Sequence, residues 1–88
     1  MDRLVTFEPD AWDDFSDWLK QDLKTTKRIT ELLKDIRRNP FTGIGKPEPL
    51  KHNYSGYWSR RINNTHRLVY KVTNDAIVVI ACCNHYTY

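Results

Sequence analysis

In the first half of the chain apolar residues recur with a helical period; in the second half they alternate. Leu4-Val5-Thr6-Phe7 is a short β-prone run closed by Glu8-Pro9. Proline suits the first turn of a helix, and Asp10, Asp13 and Asp14 follow it, where the helix dipole favours anions. Ala11, Phe15, Trp18 and Leu19, with Trp12 beside them, predict a helix over Pro9 to Gln21 with the aspartates on its solvated face. Asp22 is placed to cap a second helix. In it Ile29, Leu32, Leu33 and Ile36 fall at i, i+3, i+4 and i+7, Arg37 and Arg38 gather at the end, and Asn39-Pro40 stops it. Together the two predict a helical hairpin. Phe41 to Pro49 holds two glycines and two prolines in nine residues and reads as a loop of restricted geometry.

Beyond that loop the period changes. Tyr57 to Ile62 predicts a strand, Asn63-Asn64-Thr65 a turn, His66 to Thr73 the returning strand, Asn74-Asp75 a second turn, and Ala76 to about Asn84 a last strand. Leu68, Tyr70 and Val72 share one face; Arg67, Val69 and Lys71 share the other. Ile77, Val79 and Ala81 alternate against Val78, Ile80 and Cys82. Both faces of that strand are therefore apolar, which predicts an interior place in the sheet. The pattern as a whole predicts an α+β fold: β-α-α and then an antiparallel β-meander, with the helix hairpin covering one sheet face, in a single domain over residues 1–88.

Composition removes several classes. The longest apolar stretch, Ala76 to Cys83, is far short of the roughly 20 residues of a membrane span. The first residues show no basic segment leading into a long apolar run, so no secretory signal is expected and a cytoplasmic location is. Cys82 and Cys83 are neighbours whose side chains diverge on a strand, so neither a disulfide nor a zinc motif is expected. No metal or other cofactor is expected. Net charge is +3, unevenly spread. Met1 to Lys24 carries seven acids against three bases, whereas Thr25 to Lys46 carries six bases against two acids. A basic remainder after an acidic start favours a polyanion as partner.

Four features bear on chemistry. Glu48 stands between Pro47 and Pro49, whose rigid backbones aim its side chain. Arg67 alternates onto the face opposite the Leu68-Tyr70-Val72 stripe. Lys51, Arg60 and Arg61 add cations, and His85-Tyr86 follows directly from an apolar strand. Singly, each reads as a solvated side chain. Jointly they are the parts needed to cleave RNA without a metal: a carboxylate to take the 2′-hydroxyl proton, cations to neutralise the phosphorane, and an imidazole to protonate the leaving 5′-oxygen. Tyr54, Tyr57, Trp58 and Tyr86 offer surfaces for stacking unpaired bases, although Tyr57 and Trp58 equally suit a core.

Lys46-Pro47-Glu48-Pro49-Leu50-Lys51-His52-Asn53, Ser55-Gly56-Tyr57-Trp58-Ser59-Arg60-Arg61-Ile62, His66-Arg67-Leu68-Val69-Tyr70 and His85-Tyr86 resemble the YoeB/Txe toxins of the RelE superfamily. Trp12-Asp13-Asp14, Glu31-Leu32 and Arg37-Arg38-Asn39-Pro40-Phe41 extend the resemblance over nearly the whole chain. It implies a microbial-RNase-like sheet with two packed helices and the toxin of a type II toxin–antitoxin system. It also implies a ribosome-dependent endoribonuclease that cuts mRNA in the ribosomal A site and so inhibits translation. A YefM/Axe-type antitoxin would neutralise it, operator DNA would be met only through the antitoxin complex, and a homodimer would be among its assemblies. By the same resemblance Glu48 is the general base, His85 the general acid, Arg67 the group that steadies the scissile phosphate, Lys51 a second cation and Tyr86 a residue shaping the site. Arg60, Arg61 and Trp58 join Lys51 as substrate-binding residues, and an acidic antitoxin tail is expected over Arg60, Arg61 and Arg67. This chain departs from the family pattern in Thr87-Tyr88 beyond the terminal tyrosine and in Cys83-Asn84, where a more basic or aromatic pair is usual. The alternatives are a non-catalytic nucleic-acid- or antitoxin-binding co-repressor and a ParE-like gyrase inhibitor. Neither activity needs the Glu48, Arg67 and His85-Tyr86 set.

Overall fold

The computed structural model describes residues 2–83. The final strand's predicted extension to Asn84, and the candidate residues His85 and Tyr86, lie outside them. Helix α1 (Pro9–Gln21) and helix α2 (Leu23–Arg38) form where the apolar period places them. Asp22 caps α2: its carboxylate accepts from the Thr25 backbone N–H at 3.2 Å and from the Thr25 hydroxyl at 2.8 Å. The Thr25 hydroxyl, more than any other group, holds that carboxyl below its ordinary pKa. Ile29, Leu32, Leu33 and Ile36 of α2 are buried against the sheet, joined from α1 by Ala11 and the half-buried Phe15 and Trp18. Trp12 and Leu19 of α1 stay exposed, with Trp12 resting edge-on against Phe7.

The sheet contains β1 (Leu4–Phe7), β2 (Glu48–Pro49), β3 (Tyr57–Arg61), β4 (Arg67–Val72) and β5 (Ala76–Ala81), in the order β1-β5-β4-β3-β2. Strands β3 to β5 are the predicted antiparallel meander. Strand β5 lies inside the sheet, as its two apolar faces predict, and β1 pairs parallel to it, so the sheet is mixed. The loop expected to run to Pro49 instead ends in β2, a two-residue edge strand paired with Ser59 and Trp58.

Strand β5 breaks its own alternation. Val69 pairs with Ala81 but Tyr70 pairs with Val79, so Ile80 is an extra residue in a β-bulge. The even alternation read from the sequence places Ala81 with Ile77 and Val79. The bulge turns Ala81 to the helix-free face, where it packs with Leu50 and Val69, and returns Cys82 to the main core. Burial pushes the Cys82 thiol up to about 12, so it stays protonated.

Arg60 is the largest departure. The sequence marks it as a surface cation; in the structure it is 0% exposed. Trp58 and Arg60 of β3, and Ile62 just beyond it, face the helices, and the guanidinium enters the space between the end of α2 and the following loop. Its Nε donates to the Tyr70 hydroxyl at 3.2 Å, Nη1 to Asp35 at 2.6 Å and to the Ile44 carbonyl at 2.9 Å, and Nη2 to the carbonyls of Asn39 at 2.6 Å and Thr42 at 3.0 Å. All five guanidinium N–H groups are used. The Tyr70 hydroxyl in turn donates to the Pro40 carbonyl at 2.7 Å, and Asp35 also accepts the Ile44 N–H at 3.1 Å. The loop closes so tightly that a Cβ on Gly43, whose φ is +129°, would overlap the Asp35 carboxylate.

Removing Arg60 leaves a carboxylate, a phenol and three carbonyls without their donor. Arg60→Ala is expected to destabilise the fold by about 3–5 kcal/mol, as for other broken buried ion pairs, measured by urea denaturation. The Arg60 hydrogen bond, above all, depresses the Asp35 pKa below 3.8. Its stabilisation is therefore complete above the ordinary carboxylate pKa and is lost as pH falls through the depressed one. Asp35→Asn is expected to flatten this acid limb of the stability profile.

Candidate functional site

The face of the sheet away from the helices carries the polar chemistry. Strand alternation sends Tyr57, Ser59 and Arg61 of β3 and Arg67, Val69 and Lys71 of β4 to that face, with Leu50 and Tyr54 packed against it from beyond β2. Glu48 stands directly opposite Ser59, and Ser59 opposite Val69. Two residues along, Arg61 stands directly opposite Arg67. Arg61 is thus the diagonal neighbour of Glu48, about 7–8 Å away between α-carbons. Glu48 and Arg61 are exposed and Arg67 is half-buried.

Local backbone restraints hold this arrangement. The Arg61 N–H donates to the Gly45 carbonyl at 2.7 Å and the Leu50 N–H to the Tyr57 carbonyl at 2.9 Å, so the segment carrying Glu48 is tied down on both sides. Lys51 follows at the same sheet edge, exposed, where the chain enters a single 3-10 turn at His52–Tyr54. Two guanidiniums in direct cross-strand register repel each other, and an anion seated over them relieves that repulsion. With Glu48 diagonal to Arg61 and Arg67 one strand further on, the pair forms the cationic side of a site whose other side is anionic.

The bulge sets where β5 ends. Ala81 shares the row of Val69, Ser59 and Glu48, so the chain leaves the sheet beside the candidate residues. There Trp18 Nε1 donates to the Cys82 carbonyl at 2.7 Å, and Asp14 accepts the Cys82 N–H at 3.3 Å. Asp14, read from the sequence as part of a solvated face, is thus a partly buried anchor. Burial raises its pKa, and the Cys82 N–H acts in the opposite sense. A hollow of about 460 Å³ opens at this end, lined by Asp10, Asp13, Asp14, Tyr54, Ile80, Ala81 and Cys83. A second, of about 600 Å³, lies at the end of α2 beside Asp35 and Ile44, away from Glu48 and Arg67.

Of the residues expected in the site, Glu48, Arg61 and Arg67 share one face and Lys51 its edge; His85 and Tyr86 lie outside the described residues. Two are separated from it. Arg60 is enclosed with every donor occupied, so it meets neither substrate nor an antitoxin tail. Trp58 turns to the helix side, half-buried against the main core and 5.0 Å from the Phe41 ring. The stacking surfaces on the open side are instead Tyr54 and Tyr57, whose rings lie 6.2 Å apart. Sequence reasoning passed over Ser59, although the alternation that places Arg61 outward places it there too. Among the described residues no three His, Cys, Asp or Glu side chains group as metal ligands would, and no helix is long and apolar enough to cross a membrane.

The model of the YoeB-like toxins of bacterial type II toxin–antitoxin systems matches residues 7–86. Toxin YoeB of Escherichia coli K12 is 57% identical over 84 residues, which cover 96% of this chain and 99% of that one. The YoeB dimer from Staphylococcus aureus superposes with a TM-score of 0.91 at 48% identity, covering 98% of this chain and all of that one. The toxin in a heterotetrameric YoeB–YefM complex from the same organism gives 0.88 at 51% identity, covering 96% and 99%. The fold and these relatives define a small α+β toxin of a bacterial type II toxin–antitoxin system. The chain belongs to the YoeB family of type II toxins.

Removing the Asp14 carboxylate tests how the exit from β5 is held. Asp14→Ala is expected to cost roughly 1 kcal/mol and to speed amide hydrogen exchange at Cys82 while leaving the α2 amides unchanged. Unaltered exchange at Cys82 would show that the contact does not hold this end of β5.

Proposed function

We propose that this toxin is a ribosome-dependent endoribonuclease that cuts mRNA in the ribosomal A site and so stops translation in the cytoplasm. The observation that carries the proposal is the placement of Glu48, Arg61 and Arg67 in neighbouring register positions on the helix-free face, with β5 ending beside them. Membership of the YoeB family supports it.

In this reading Glu48 takes the proton of the ribose 2′-hydroxyl. The freed oxygen attacks the adjacent phosphorus in line, and Arg67 and Arg61, with Lys51 at the edge, neutralise the charge that grows on the equatorial oxygens. The 5′-oxygen leaves with a proton from His85, and Tyr86 shapes the site around it. The 3′ end becomes a 2′,3′-cyclic phosphate, or a 3′-phosphate after water opens the ring. The cyclising step balances with no added reagent, one proton going to Glu48 and one coming from His85; opening the ring consumes one water.

A nuclease of this kind is harmful unless covered. The S. aureus YoeB–YefM complex supports a YefM-type antitoxin as the partner, and the S. aureus dimer supports self-association. An acidic antitoxin segment that folds on binding would neutralise Arg61 and Arg67 without needing Arg60. Operator DNA would be reached only through that complex.

The test is to map new mRNA ends on translating ribosomes. Glu48→Gln is expected to lower cleavage about 10²–10⁴-fold, as loss of a general base does. Arg67→Ala is expected to lower it comparably while keeping a cooperative melting transition. Binding without new ends in the wild-type protein would instead favour the co-repressor role, and new DNA breaks the gyrase-directed one.

A further inference from the structure

Ser59 carries a hydroxyl that the fold does not use. The residue is 1% exposed. Among the described residues its Oγ is the one buried side-chain nitrogen or oxygen with no hydrogen-bond partner. Buried polar groups are ordinarily paired, and an alanine would pack here without that cost.

Its surroundings limit what the hydroxyl can serve. On the open face its cross-strand neighbours are Val69 on β4, which is apolar, and Glu48 on β2. The next residue, Arg60, points through the sheet with all its donors committed. Directly opposed residues place their Cβ atoms about 4.5–5.5 Å apart, so a rotation about the Glu48 side-chain bonds is enough to bring a carboxylate oxygen to Oγ. Glu48 is exposed in the protein alone. A nucleotide laid on this face strips water from the carboxylate, and a hydroxyl at this distance then fixes which oxygen meets the substrate.

We propose that Ser59 is the positioning residue for Glu48. With substrate seated, the Ser59 O–H donates to one carboxylate oxygen and leaves the other directed at the 2′-hydroxyl. Ser59 keeps its proton throughout and touches no reacting atom. This role rests on the ribonuclease function proposed above.

The experiment is single-turnover cleavage of ribosome-bound mRNA by the wild type, Ser59→Ala, Glu48→Gln and the double variant, each with its melting temperature. Ser59→Ala is expected to lower the maximal rate about 10–100-fold, the usual effect of losing a hydrogen bond to a charged group, with half-saturation by ribosomes unchanged. Its melting temperature is expected to equal or exceed that of the wild type. In the Glu48→Gln background the same substitution is expected to change nothing further. Wild-type rates for Ser59→Ala, an equal loss in both backgrounds, or a lowered melting temperature would each overturn the role and leave the nuclease function standing. A wild-type protein that makes no cut would overturn both.

Discussion

The buried guanidinium of Arg60 is the interaction on which the rest of the molecule depends. Burying an ion in a chain of 88 residues is costly, and the cost is offset only because five acceptors converge on it, one of them the Asp35 carboxylate. Those acceptors come from α2, from three points of the following loop and from β4. One side chain therefore gathers the end of a helix, an otherwise irregular segment and the middle of the sheet. A hydrophobic side chain of similar volume would fill the space but would leave the loop carbonyls unpaired. The loop so fixed runs directly into Glu48. The position of the carboxylate on the open face thus depends on a cation that never reaches that face.

At the opposite edge of the candidate site the order comes from an irregularity. The extra residue Ile80 rotates the end of β5, turning Ala81 outward and Cys82 inward. Bulges commonly re-aim the chain in this way beside functional sites. Here the re-aimed backbone is gripped from α1 by the Trp18 indole and the Asp14 carboxylate. Each helix thus secures one flank: α2 fixes the Glu48 side through Arg60, and α1 fixes the side where β5 ends.

Much of this was legible from residue order. The 3.6-residue period marked out both helices, Asp22 announced the second, and alternation assigned Arg67 to the face away from the core. The parts that were not legible share a cause. Arg60 and Arg61 are identical in type and adjacent, and only the strand register decides that one is enclosed and the other solvated. The sign was present, since Trp58, Arg60 and Ile62 alternate on one face while Asp35 lies beside the inner stripe of α2. Converting it into a buried pair requires knowing that β3 packs over the end of α2. Local alternation likewise carries no trace of a one-residue insertion against a partner strand, so the outward turn of Ala81 was hidden. Asp14 differs from Asp10 and Asp13 only by facing Cys82, 68 residues later. Glu48, Arg61 and Arg67 were all identifiable by type; their common face is a property of three strands together.

The parallel pairing of β1 with β5 has a consequence for how the toxin comes into being. Among the described strands the first in the chain lies against the last, so an emerging chain can assemble its helices and the β3–β4 hairpin but has no strand to receive Leu4–Phe7 until Ala76–Ala81 lies between β1 and β4. Such long-range closure is slow compared with local helix formation. A nascent chain that has not yet supplied Ala76–Ala81 therefore holds an incomplete sheet in which β1 has no strand to pair with.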